Sequence, residues 1–226
     1  MEARQDNLAT AEKRAAFEQA RLQMEELRVR FRAYRGKVQT TERSMQAAQA
    51  EADNAREQWR DKLRESDGAI TKDVQRLRAD ERAAYTLIEE YQSIHEEMQR
   101  TLAGMQLELA EAAKTCIFTR EGLATAMFED ALVEVVDHCG VDIRRVMALH
   151  REANRIENPR SSPLWTDDES MIHGRFFHRL SAALKGLDAD DDLPQELSLD
   201  LADVDMVLVG SHAARHRQRV ELGIAS

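Results

Sequence analysis

Proline is missing from the first 158 residues; Pro159, Pro163 and Pro194 are the only three in the chain. Proline removes a backbone donor and clashes with the preceding turn, so nothing in that long stretch forbids continuous helix. Aromatic residues are scarce at 5%, which leaves too few large side chains for a thick globular core. Two cysteines, Cys116 and Cys139, cannot build a disulfide framework; in apolar surroundings they read as reduced thiols. No apolar run approaches the ~20 residues of a membrane-spanning helix, and no stretch reads as a signal peptide. The expectation is therefore a cytoplasmic protein with no membrane partner. A Gly-rich phosphate loop, a nucleophile elbow and a paired-carboxylate signature are all missing, so we expect neither enzymatic activity nor a cofactor.

Charge is what the chain has in abundance. Charged residues make up 33% and the net charge is −10, a balance that disfavours direct nucleic-acid binding and suits a protein partner. Helices that each bury one apolar stripe fit such a composition.

The apolar residues recur at alternating spacings of three and four. Phe17, Ala20, Met24, Leu27, Phe31, Tyr34, Val38, Thr41, Met45, Ala48, Ala52, Ala55 and Trp59, of which only Thr41 is polar, form one heptad seam. A second seam begins after Gly68 and runs from Ile70, Val74 and Leu77 to Leu109, Ala112 and Cys116, interrupted by Glu81 and His95. The two mirror each other: Trp59 answers Val74, Met45 answers Ile88, Val38 answers His95 and Phe17 answers Cys116. The mirror point falls at Ser66-Asp67, beside Gly68. A kink in one long helix gives no reason for that symmetry. Ser and Asp bond neighbouring backbone groups and Gly accepts positive φ, so Ser66, Asp67 and Gly68 read as a hairpin tip. At ~1.5 Å per residue each arm spans about 70 Å. Glu81 falls opposite Ala52, where its stem can pack and its head reach water. His95 reads as a hydrogen-bonded core histidine, and Trp59 as a seam residue.

Leu8, Ala15, Leu22 and Val29 recur every seven residues on the outer face of the first helix. Solvent alone does not call for that stripe; the returning chain or another subunit would cover it.

The predicted fold is all-α: a long antiparallel coiled-coil helical hairpin over 1–116, followed by a smaller helical C-terminal region over 117–187. An acidic connector and basic terminal helix occupy 188–226. Within the middle region, Thr119 is expected to cap a helix that turns Leu123, Met127, Phe128, Ala131, Leu132, Val135 and Val136 to a core and ends near Gly140. A further helix carries Ile143, Val146, Met147 and Leu149. Thr166 to Glu169 reads as a capping box opening a helix through Phe176, Phe177, Leu180 and Leu184. The stretch LDADDDLPQELSLDLADVD holds acids and no bases, and reads as a flexible or loosely packed connector. MVLVG reads as a strand or docked extended segment, and Ser211 as the cap of a basic helix that is either a solvated helix end, the commoner fate of a charge run, or meets something negative such as a neighbour's connector.

His138, Cys139, His150 and Cys116 fit no zinc spacing. His212 and His216 stand at i and i+4 but are flanked by Arg215 and Arg217, so no metal is expected there. Trp165, in a loop near two prolines, is the better candidate for an interface anchor.

The run DNAREQWRDKLRESDGAITKDVQRLRADERAAYTLIEEY, with Trp59-Arg60, Gly68 to Thr71 and Glu90-Tyr91, resembles the capsid size determination proteins of satellite phages. The tail DMVLVGSHAARHRQ, with Gly210 before a basic helix, is similar to their C-terminal segment. The resemblance covers the hairpin and the tail. It implies an external scaffold in the bacterial cytoplasm, on the exterior of a helper phage's procapsid. Such a scaffold binds the major capsid protein, self-associates through dimer or trimer contacts in a cage, and imposes a smaller shell. Leu22, Val29, Trp165, Phe176, Phe177, Arg215, Arg217 and Arg219 are the surfaces that would carry those contacts. Two alternatives stay open: a satellite-phage decoration protein that inhibits Rho-dependent termination, also built on a helical hairpin, and a generic coiled-coil adaptor.

Overall fold

The structure is a computed structural model that describes the backbone of residues 2–157, 169–185 and 194–224, and the side chains of 9–153, 173–185 and 194–224. Among the described residues there are five α-helices, α1 Glu2–Glu65, α2 Lys72–Glu157, α3 Glu169–Leu184, α4 Met206–Gly210 and α5 His212–Glu221, with one 3₁₀ turn at Gln195–Leu197. No strand occurs among the described residues. The helices divide between two compact units, Ala16–Thr119 with Asp200–Ser226, and Met1–Ala15 with Arg120–Leu199.

In the first unit α1 and α2 pack as the antiparallel hairpin. Ser66 to Gly68 form the turn, with Asp67 at φ 52° and Gly68 at φ 85°. Both residues occupy the left-handed region, which aspartate tolerates and glycine accepts freely. The Gly68 amide donates to the Leu63 carbonyl at 2.9 Å, closing the end of α1, while Ser66 Oγ donates to the Ala69 carbonyl at 2.8 Å. Thr71 Oγ1 then accepts from the Val74 amide at 3.3 Å and starts α2.

The expected seams are the core. Phe17, Ala20, Met24, Phe31, Val38, Ala48, Ala52 and Ala55 are buried on α1, and Val74, Ala84, Ile88, Leu109 and Cys116 on α2. Near the tip the layer is made of small residues: Ala48, Ala52, Ala84 and Ile88 cluster, with Met45, Tyr85 and Tyr91 packed against them. Ile70 departs from the pattern because it precedes the first turn of α2 and is exposed. His95 stays half-buried; its Nε2 lies 3.3 Å from Gln99 Nε2, and its Nδ1 has no hydrogen-bond partner among the described residues.

Three local expectations are corrected. Thr119 does not cap a helix: α2 runs through it, and its hydroxyl donates to the Thr115 and Cys116 carbonyls, each at 3.0 Å. Nor does the chain break at Gly140, which lies within α2. Glycine in a helix costs only about 1 kcal/mol relative to alanine, too little to end a helix 86 residues long. MVLVG is neither strand nor extended segment but α4, capped by Asp205, whose carboxylate accepts from the Val207 amide at 2.9 Å and the Leu208 amide at 3.3 Å.

In the second unit, Leu123 and Ala126 are buried, whereas Phe128, Leu132, Val135 and Val136 are exposed rather than turned to a core. Thr10 Oγ1 donates to Asp130 Oδ2 at 2.7 Å, Arg14 pairs with Glu196 at 2.8 Å, and Arg120 Nε donates to the Leu197 carbonyl at 2.7 Å.

Candidate functional site

The segment expected to be a loose acidic connector is docked on α1 where it is described. Arg28 is buried and gathers Asp200 from two directions, through the Oδ2 carboxylate oxygen at 3.1 Å and through the backbone carbonyl, with Glu25 at 2.7 Å on its own helix. Asp203 receives Arg32 Nε at 2.5 Å and Arg35 Nη1 at 3.1 Å. The Arg32 hydrogen bond first, helped by the charges of Arg32 and Arg35, holds the Asp203 carboxyl below the usual range against the opposing cost of desolvation. Asp205 continues the line, accepting from Gln106 at 3.3 Å while it caps α4.

α5 returns against α2. Gln218 Nε2 donates to the Ala103 carbonyl at 3.0 Å, and Arg219 pairs with Glu111. Arg215 turns back under α4, where its Nη1 donates to the Leu208 carbonyl and to the Val209 carbonyl at 2.7 Å. The basic tail is therefore not simply solvated: Arg219 meets Glu111 and Arg215 meets the carbonyl end of α4. Between α2 and α5 a cleft of about 620 Å³ opens, lined by Lys114, Phe118, His212, Arg215, His216 and Arg219 among others.

The remaining candidate residues are scattered. Leu22 is 67% exposed and Val29 57% exposed on α1; Ala15 of the same stripe is exposed, and the Leu8 side chain lies outside the described residues. Trp165 also lies outside them. In the second unit, Phe176 is buried, its ring 5.8 Å from that of His150 and 5.4 Å from that of Phe177, which is itself exposed. Arg217 is exposed on α5. Candidates that the sequence placed together thus separate into the two units: Leu22, Val29, Arg215, Arg217 and Arg219 in one, Phe176 and Phe177 in the other.

A cluster near the hairpin tip joins side chains of both arms. Trp59 has the guanidinium of Arg60 at 5.7 Å and that of Arg78 at 5.5 Å from its ring. Arg56 lies 5.2 Å over the Tyr85 ring and donates to its hydroxyl. Glu81 is half-buried, and its carboxylate accepts from Arg56 Nε at 2.7 Å and from Trp59 Nε1 at 2.8 Å. The spacing of Arg56, Trp59 and Arg60 on one side and Arg78, Glu81 and Tyr85 on the other was visible; only the pairing of the helices brings the two triplets into contact. No three metal-ligating side chains come together, and no helix is long and apolar enough to cross a membrane, among the described residues. His138 Nδ1 instead faces the Glu134 carbonyl at 2.8 Å, and Cys139 is exposed.

Comparison with family models, curated proteins and solved structures gives no match.

Proposed function

We propose that the chain is an external capsid scaffold that binds a helper phage's major capsid protein and redirects it into a smaller shell. The observation that carries the reading is a hairpin with arms of about 70 Å that keeps large apolar side chains, Leu22 and Val29, on its outer face. A seam-packed hairpin resists bending, and resistance to bending is what a protein needs to impose curvature on a shell. Outward apolar groups on an otherwise charged surface supply contacts that solvent does not reward. Each contact can be weak, because a closed cage makes every later contact effectively intramolecular. The resemblance of the tip and tail to capsid size determination proteins supports the same reading.

Co-expression with a helper-phage major capsid protein and its assembly factors, followed by electron microscopy, tests it. Smaller shells coated on the outside are expected, and a Leu22→Glu, Val29→Glu double variant should return shells of the ordinary diameter. Ordinary shells in the presence of the unaltered protein would overturn the reading.

A further inference from the structure

The cleft between α2 and α5 is built from rows at helical spacing. Lys114 and Phe118 stand one turn apart on α2, while His212 and His216, and Arg215 and Arg219, stand one turn apart on α5. Its charge is unbalanced. Lys114, Arg215 and Arg219 are cations; the lining carboxylate, Glu111, is already engaged by Arg219. Lys114 makes no ion pair among the described residues, in a chain whose net charge is −10.

Arg215 is the decisive residue. It is 8% exposed, yet no carboxylate pairs with it among the described residues. Two backbone carbonyls engage Nη1, whereas Nε and Nη2 have no hydrogen-bond partner among those residues. With Nη1 held by the carbonyls of α4, the remaining edge of the planar guanidinium fork matches the two oxygens of a carboxylate. Beside it Phe118 holds its ring 74% exposed, an apolar shelf that a bare inorganic anion has no use for.

We infer that this cleft is a binding site for an acidic peptide segment of a partner protein, with a carboxylate on Arg215, a second acidic side chain on Lys114 and an apolar side chain against Phe118. The cleft volume suits a few residues of extended chain rather than a single small anion. A long polyanion such as nucleic acid would gain at the cleft but be repelled by the acidic remainder of the molecule. The inference stands on the cleft alone and does not rest on the capsid reading.

Fluorescence anisotropy of the full chain with a labelled Asp-Glu-Phe-Glu-Asp peptide tests it. The amide counterpart, Asn-Gln-Phe-Gln-Asn, should bind at least about tenfold more weakly, since it removes the charge and keeps the shape. Lys114→Glu on α2 and His216→Glu on α5, both at exposed positions, should each weaken the acidic peptide by about tenfold with an unchanged far-ultraviolet circular dichroism spectrum. Lys37→Glu, the same charge change away from the cleft, should leave affinity within about twofold once screening is considered. Equal affinity for the amide peptide, or full binding by both cleft variants, would overturn the proposal. So would displacement by inorganic phosphate at concentrations equal to the peptide's, or tighter binding of a short oligonucleotide.

Discussion

The indole nitrogen of Trp59 donates to Glu81 Oε2 at 2.8 Å, and the other oxygen of the same carboxylate accepts from Arg56 at 2.7 Å. One acidic side chain of α2, standing where the seam is otherwise apolar, thereby answers two donors of α1. Burial of a carboxylate in a seam is unfavourable by itself; two converging donors, one charged, offset it.

Glu81→Gln should lower the thermal midpoint at neutral pH by roughly 2–4 °C. The Arg56 hydrogen bond foremost, and the Trp59 hydrogen bond after it, hold the Glu81 carboxyl below its ordinary range against desolvation. A folded value lower than the unfolded one, about 4.3, means that the contribution is complete above that range. It is lost as pH falls through the lowered folded value. Thermal melts between pH 7 and pH 3 should therefore show the gap between parent and variant closing at the acid end. A gap that persists at pH 3 would count against this pairing.

Gly68→Ala should destabilise the hairpin by roughly 1 kcal/mol. Nothing stands within 4 Å of an added Cβ, so the cost comes from the φ of +85° alone. Asp67→Gly, at a residue with φ 52°, should be neutral or mildly stabilising in the folded state. Urea midpoints of the two variants check that only Gly68→Ala lowers stability.

Ala52 has no exposed surface and sits against Ala84 in the small-residue layer near the tip. Ala52→Leu should cost roughly 1–3 kcal/mol through overpacking. Ala50→Leu, on the exposed side of the same helix, should change stability little. Denaturant titration compares them directly, and equal effects would mean that the layer is not tightly packed.

Asp203→Asn should loosen the 200–210 segment. The residue sits at φ 64°, which asparagine tolerates as well as aspartate does, so the substitution removes charge without adding strain. Hydrogen exchange should accelerate at the amides of 204–210 and stay unchanged in the Ala48 to Ala55 stretch. Uniform protection after the substitution would show that the Arg32 and Arg35 contacts do not hold this segment.

The hairpin was readable because coiled-coil periodicity is local. Every seam residue from Phe17 to Trp59 marks its face by spacing alone, and Ser66, Asp67 and Gly68 declare the reversal through their own backbone preferences. The cleft was not readable. It depends on Lys114 and Arg215 meeting although they are far apart in sequence, and neither residue is unusual within its own helix. The apolar faces of Phe128, Leu132 and Val136 mark the same limit from the other side: periodicity identifies a stripe, but not whether another element lies over it.

By itself, then, the amino-acid order determined the two arms of the hairpin, where they reverse and which seam each arm buries, since helical spacing and turn chemistry act over a few neighbouring residues. Tertiary structure alone decided that Asp200 and Asp203 lie along Arg28, Arg32 and Arg35, that Glu81 is held by Arg56 and Trp59, and that Arg215 folds under α4 beside an open cleft. Charge pairing works through space, and a charged residue in sequence carries no mark of which distant partner the packed helices will set beside it.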